Sequence, residues 1–336
     1  MGEVLYLSET DDRAFPVVPG LDRFRAQVLG ETGGGGGMTT RTRVMLSMLG
    51  LGLEQTTTWL GQTRPSPGEF RRWIMQMAGL PSPDALARYI ALVRGEPIPT
   101  AVKDRLDAID RMPPVLDERE LTRWEYDGYA ILDNAIAPAE VMALAHLVWK
   151  LAEARQDVPE TWYAARPQGI MLQHFQSPQQ DVARYSARIH KAFAQLWGTA
   201  DLWPSIDRLG FSPPVTDAAP FRASPLHWDC SLHRPVPYGM FGVLYLTDTA
   251  AEQGAFRLVP GFHRRLDAWL DDLGEQDPRS LDLEDEAVPI AGRAGDLIIC
   301  RHDLPHGASP NRAGSPRLVQ YLSMFPPWFE EQSVWR

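Results

Sequence analysis

The chain has 336 residues, 44% hydrophobic and 23% charged, with 33 Lys+Arg against 43 Asp+Glu and a formal net charge of −10. These values suit a soluble globular protein with one large core plus an added layer, or two domains, and they argue against a nucleic-acid or anionic-membrane surface. Two cysteines, Cys230 and Cys300, imply no disulfide framework. The acidic start MGEVLYLSETDD is unlike a signal peptide, and the longest apolar run, from Val44, is about half a membrane span, so the expected setting is the cytoplasm.

Gly33 to Gly37 reads as a flexible joint after an N-terminal segment, 1–37. A helical subdomain is expected over 38–113. Ser66-Pro67-Gly68-Glu69 is a capping box with Pro at the first helical position, ahead of FRRWIMQMAGL. Ser82-Pro83-Asp84 precedes a segment with Leu86, Ile90 and Val93 on one face, and TAVKDRLDAIDRM aligns Val102, Leu106 and Ile109. Pro113-Pro114 marks the boundary to the remaining domain, 114–336.

That domain opens with a short helix, a turn at Asp127-Gly128 and a strand, YAIL. APAEVMALAHLVWKLAEA is an amphipathic helix, and a single helix is expected over VARYSARIHKAFAQLWG. Beyond about residue 200, short apolar runs (MFGVLYL, AFRLVP, DLIICR, RLVQYLSMF) alternate with Gly-, Pro-, Asp- and Asn-rich turns. This is the pattern of an antiparallel sandwich or jelly roll.

The stretch LHWDCSLH precedes the first of these runs. In an extended strand His227 and Asp229 point the same way and Trp228 the opposite way. Cys230 then faces away from them and reads as a core filler. A tight metal site needs a third ligand, and His233, His263, His302 and His306 are available. His306 is favoured: it follows a Gly-Asp turn and an apolar strand, and Arg317 lies eleven residues beyond it. His302 is its rival. Two imidazoles and a carboxylate on one face leave coordination positions open, the arrangement of non-haem Fe(II) oxygenases. An arginine in reach can hold the far carboxylate of a dicarboxylate cosubstrate with two parallel hydrogen bonds.

His227-Trp228-Asp229, EQGAFRLVPGFHR and AGDLIICRHDLPHGASPNRAGSPR together resemble the phytanoyl-CoA dioxygenase family of Fe(II)/2-oxoglutarate oxygenases, which includes ectoine hydroxylase. LTRWEYDGYAILDNAI resembles the opening of that family's domain, and the resemblance spans about 115–330. It implies a mainly β fold, a double-stranded β-helix (jelly roll) with packed helices, beside an N-terminal helical region that finds no counterpart. It implies His227, Asp229 and His306 as iron ligands and catalytic centre, and Arg317 as partner of the 2-oxoglutarate carboxylate.

Two positions depart from the family pattern. Phe262 stands where a Ser is usual, and Ala308 where a Ser often helps hold 2-oxoglutarate, leaving Ser309, Gln173 or another polar group to supply that bond. His233, Tyr245, Trp228 and Arg222 are candidate pocket residues. His233 is alternatively exposed and Tyr245 alternatively core, while Arg222, Arg234 and Arg264 are alternatively solvated surface groups. His263 is expected to end a strand. Trp328 and Phe329 either close over a substrate or pack on the core.

The implied activity consumes Fe(II)-bound 2-oxoglutarate and O2, releases succinate and CO2, and hydroxylates an unactivated C–H of a small molecule. Asp229 argues against halogenation, since related halogenases carry Gly or Ala there. Desaturation, cyclisation or epoxidation, and a non-catalytic metal-binding jelly roll, are the alternatives. No nucleic-acid or membrane partner is expected, and the chain is expected to be a monomer or homodimer.

Overall fold

The computed structural model describes residues 15–32, 39–164, 169–221, 225–329 and 334. The glycine run and Arg222 lie outside the described residues. The chain divides into two compact units, Met1–Arg105 and Leu106–Arg336, parting within a helix that runs from Thr100 to Arg111.

The first unit holds helices α1 (Leu21–Val28), α2 (Thr40–Met48), α3 (Leu53–Thr63), α4 (Pro67–Ala78), α5 (Pro83–Arg94) and the start of α6 (Thr100–Arg111). The capping box forms as expected: Ser66 Oγ accepts from the Glu69 amide, and the Glu69 carboxylate accepts from the Ser66 amide at 2.7 Å. Trp59 stacks on Trp73 at 4.5 Å, and Leu60, Phe70 and Ile74 are fully buried beneath.

The second unit opens with α7 (Glu118–Asp127) and β1 (Tyr129–Leu132), then α8 (Pro138–Leu151), β2 (Met171–Leu172), α9 (Pro178–Arg184) and α10 (Ala187–Trp197). The strands β3 (Trp203–Pro204), β4 (Leu209–Ser212), β5 (Met240–Tyr245) and β6 (Phe256–Leu258) follow. After α11 (Leu266–Leu273) come β7 (Val288–Pro289), β8 (Leu297–Arg301), β9 (His306–Ala308), β10 (Arg317–Leu322) and β11 (Met324–Phe325). The single helix expected over 182–198 is instead two, α9 and α10. Ser186 breaks it, because its hydroxyl accepts from the Ile189 amide at 3.3 Å and caps a new helix.

Six strands form one antiparallel sheet in the order β1-β8-β5-β10-β4-β2, and three form another in the order β7-β6-β9. From β5 to β10 the chain passes back and forth between the sheets, with β5, β8 and β10 in the large one and β6, β7 and β9 in the small one. That alternation is a double-stranded β-helix. Tyr245, Ile298, Cys300 and Val319 of the large sheet join Phe256 and Leu258 of the small one in a single buried cluster. The opposite face of the large sheet is covered by helices: Trp149 of α8 meets Phe211 of β4 edge-on at 5.3 Å, and Phe193 of α10 lies against Gly242 of β5. Burial on both faces explains why the central strands read as continuous apolar runs. No helix among the described residues is long and apolar enough to cross a membrane.

The turn from α7 into β1 aligns the edge strand. Gly128 adopts φ +83° and ends the helix, with its amide donating to the carbonyls of Arg123 and Trp124. A Cβ there would lie 2.8 Å from both His263 Nδ1 and Leu304 Cδ1. Gly128→Ala is expected to cost about 2–4 kcal/mol, from left-handed strain plus overpacking. Urea denaturation followed by circular dichroism checks this, and an unchanged midpoint contradicts it.

Candidate metal and cosubstrate site

LHWDCSLH is not a regular strand. Only His227 pairs, in a one-residue bridge to His306 at the free edge of β9. Each residue's amide donates to the other's carbonyl at 2.9 Å. This brings the two rings to 4.6 Å between centroids. His227 Nδ1 lies 2.9 Å from the Pro225 carbonyl, and His306 Nδ1 lies 2.9 Å from that of Leu304. A carbonyl only accepts, so each Nδ1 carries a hydrogen and, in the neutral ring, each Nε2 keeps its lone pair.

Those Nε2 atoms meet one carboxylate. Asp229 Oδ1 is 3.6 Å from His227 Nε2, and Oδ2 is 3.3 Å from His306 Nε2. One donor atom from each of the three residues lies within 4.8 Å of the others. Burial lowers the affinity of His227 for a proton, and the neighbouring His306 reinforces the shift, which favours the neutral, metal-binding imidazole. Burial alone would raise the Asp229 carboxyl, but the imidazoles beside it, in their protonated form, His306 before His302 and His227, outweigh this and hold it below the usual carboxylate range. About half of the Asp229 side chain is nonetheless open, because it faces a cavity inside the protein wall.

The cavity has a volume of about 370 Å³. His227, Asp229, His306 and Arg317 all line it, with Met171, Phe241, Val243 and Phe256 as apolar wall and Asp207, Arg208, Tyr321 and Ser323 as polar wall. Arg317 starts β10 opposite Ser212 and is 2% exposed. Its Nε and Nη2 have no hydrogen-bond partner among the described residues. Buried guanidinium donors are costly to leave unpaired, so these two are available to a ligand in the cavity that brings an acceptor.

The remaining sequence candidates scatter. Tyr245 is core, not cavity wall: its hydroxyl donates to the Ile290 carbonyl at 2.7 Å and accepts from the Phe256 amide at 2.9 Å, and burial pushes its pKa up to about 12. Trp228 is buried against Phe262 and Trp269, each 5.8 Å away. His233 is exposed, as is Gln173 after β2, and neither lines the cavity. Ala308 lines it, whereas Ser309 is buried outside it, its amide bonded to the Ala255 carbonyl.

His302 stacks on Phe241 at 5.7 Å, outside the three-residue cluster. His263 sits in a 3-10 turn, Phe262–Arg264, and not at a strand end, because Gly261 turns the chain with a positive φ. Cys230 donates its thiol to the His302 carbonyl at 3.3 Å and is buried. Arg234 pairs with Asp271 at 2.7 Å and Arg264 lies over the Tyr126 ring, so both are engaged at the surface. Phe329 is buried and Trp328 exposed, both packed edge-on against Trp197.

Two contributors escaped the sequence reading. Tyr321 shares a strand face with Arg317 at i+4 spacing, a signal that was present in the sequence. Arg279 had no such signal. It follows α11 in a turn, and its guanidinium donates to the Trp228 carbonyl at 3.0 Å and the Cys230 carbonyl at 2.6 Å. It thus grips the backbone on either side of Asp229.

Two imidazoles and one carboxylate converging on a double-stranded β-helix are the donor set of non-haem iron oxygenases. The family model described as phytanoyl-CoA dioxygenase matches residues 124–319, more than half of the chain, and the chain belongs to that family. A curated protein of Dictyostelium discoideum with the same description is 28% identical over 92 residues. That match spans 25% of this chain and only 26% of the relative.

Among solved structures, the non-heme alpha ketoglutarate dependent epimerase SnoN from nogalamycin biosynthesis aligns at 19% identity and a TM-score of 0.46. The alignment covers 62% of this chain and 82% of that one. EvdO2 from Micromonospora carbonacea var. aurantiaca aligns at 20% identity and a TM-score of 0.46, covering 66% and 95%.

Arg279→Ala is expected to weaken divalent-metal affinity about tenfold by freeing the loop that carries Asp229, the low end of effects seen when the support of a ligand is removed. Competition against a chromophoric chelator measures it. Unchanged affinity shows that the loop is held without Arg279.

Proposed function

We propose that this chain is an Fe(II)- and 2-oxoglutarate-dependent oxygenase that hydroxylates an unactivated C–H bond of a small molecule. The observation that carries the reading is one cavity lined both by two Nε2 lone pairs and a carboxylate and by a buried arginine with two unpartnered donors. The donor set fits the metal, being nitrogen and oxygen ligands on one side of a cavity, with no cysteine among them. The arginine fits the cosubstrate, because a guanidinium offers parallel donors to a carboxylate.

In this reading His227, Asp229 and His306 hold Fe(II), and Arg317 orients 2-oxoglutarate by its far carboxylate. Iron with the oxoacid and dioxygen supplies the oxidising chemistry, giving succinate, CO2 and an oxidised substrate carbon. The protein does the rest. The Pro225 and Leu304 carbonyls fix the imidazole tautomers, and Asp229 stays ionised as an anionic ligand. Phe241, Val243 and Phe256 keep water from the reacting carbon. Asp229 itself favours hydroxylation over halogenation, since the carboxylate fills the position a halide would need. The modest cavity, walled about equally by apolar and polar groups, supports a small-molecule substrate.

Anaerobic protein mixed with Fe(II) and then 2-oxoglutarate is expected to show a weak visible charge-transfer band. The band should vanish in His306→Ala and persist in His302→Ala, and admission of O2 with a turned-over substrate should release succinate. A folded, iron-loaded wild type with no band rejects the reading. Loss of the band in His302→Ala but not in His306→Ala rejects the ligand set.

A further inference from the structure

The pattern departure at Ala308 leaves a methyl group in the cavity wall where a hydroxyl would assist Arg317, and neither Ser309 nor Gln173 reaches that wall. Two described residues lining the cavity carry hydroxyls, Tyr321 and Ser323. Ser323 is already engaged, its Oγ 2.9 Å from Ser205 Oγ. Tyr321 is placed differently. It lies on the same strand as Arg317, four residues on, so both side chains leave the same face of β10. It is hydrogen-bonded to Arg317.

The direction of that bond follows from chemistry: a guanidinium only donates, so the phenol oxygen accepts and its own hydrogen is left over. Among the described residues no bond from that hydroxyl to an acceptor is formed; Asp207 and Arg208 of the cavity wall act on the phenol by charge alone. Burial raises the phenol pKa above its ordinary value, so the hydrogen stays in place through the neutral range. Room for the ring comes from Gly210 on the neighbouring strand, where a Cβ would sit 3.2 Å from the Tyr321 hydroxyl oxygen. The cavity therefore presents three unused donors together: Nε and Nη2 of Arg317 and the hydroxyl of Tyr321.

We propose that the Tyr321 hydroxyl is a second hydrogen-bond donor, beside Arg317, to the far carboxylate of the cosubstrate, and so selects a dicarboxylic oxoacid over a monocarboxylic one. The proposal rests on the oxygenase reading above and names a residue that takes over the part left open at Ala308. A neutral phenol adds directionality to the charge of Arg317. Its single hydrogen favours a carboxylate oxygen in one position, which an acid with a methyl group at that end cannot offer.

The test compares 2-oxoglutarate with 2-oxovalerate, which has the same five-carbon chain but ends in a methyl group. Dissociation constants are measured anaerobically on the full-length, Fe(II)-loaded protein, wild type and Tyr321→Phe, by calorimetry and by the charge-transfer band. Tyr321→Phe is expected to weaken 2-oxoglutarate about tenfold, the size of one hydrogen bond to a charged group, and to leave 2-oxovalerate and Fe(II) within about twofold. Equal weakening of both oxoacids, or loss of Fe(II), makes Tyr321 a structural residue and overturns the proposal. Unchanged 2-oxoglutarate affinity overturns it alone. A wild type that binds iron but neither oxoacid overturns the oxygenase reading with it.

Discussion

The site depends on one pair of backbone hydrogen bonds. His227 and His306 are far apart in sequence, and each donates its amide to the other's carbonyl at 2.9 Å. Such a pair contributes only about 1–3 kcal/mol net. Its geometric consequence is larger. A reciprocally bonded pair in an antiparallel ladder holds its two Cα atoms about 5.5 Å apart with side chains on the same face, so both imidazoles are delivered to one spot by the main chain alone. Two further carbonyls then turn the rings so that both Nε2 atoms face Asp229. The ligand geometry is thus fixed by backbone groups, which no side-chain substitution removes directly.

Charge is handled differently at two buried arginines of the same domain. Arg184 is 1% exposed and keeps Asp181 at 3.1 Å and the Asp207 carbonyl at 2.6 Å. Arg317 is 2% exposed, and no carboxylate pairs with it among the described residues. Burying a cation without a counter-ion is unfavourable. Where such a group lines a cavity beside a cluster of potential metal ligands, the missing anion has a natural source in a ligand. A donor set already desolvated and held in place loses little on binding, which is the advantage of preorganisation.

Much of this was legible in the sequence, for physical reasons. The turn residues and apolar runs after residue 200 marked the strands, because a sheet buried on both faces admits little else at those positions. The clustering of His227, Asp229 and His306 was legible because HxD, a distal histidine and an arginine eleven residues on make a spacing seldom met together by chance. Less visible were features set by tertiary contact. The break between α9 and α10 turned on whether Ser186 would cap or continue a helix, and its side chain chose the cap. Tyr245 and Tyr321 both occupy strands near the ligands, yet one is core and the other cavity wall. Both lie on the same face of the sheet, since Tyr245 pairs with Val319 and Tyr321 with Val243; what separates them is what each hydroxyl meets, the Ile290 carbonyl and Phe256 amide for Tyr245, which alternation does not encode. Arg279 reaches the ligand loop from a turn about fifty residues downstream, a contact that no local pattern encodes.

The departure at Phe262 acquires meaning from the same loop. A serine there would leave a void under Trp228. The phenylalanine is fully buried, 5.8 Å from Trp228 and 5.1 Å from Trp269, with Trp228 and Trp269 also 5.8 Å apart. Three rings in mutual contact bury a large apolar surface, and each pair adds to that burial about 0.5–1.5 kcal/mol. Trp228 lies between the two candidate ligands supplied by this segment. Its ring is anchored in the core while His227 and Asp229 on either side face the cavity. The loop lacks the ladder bonds of a true strand, yet it is held by aromatic packing at its centre, by Arg279 at the flanking carbonyls and by His306 at the first ligand. Only the carboxylate of Asp229 is left largely free of fixed hydrogen bonds, so in the proposed metal site it is the group with room to adjust between the two imidazoles.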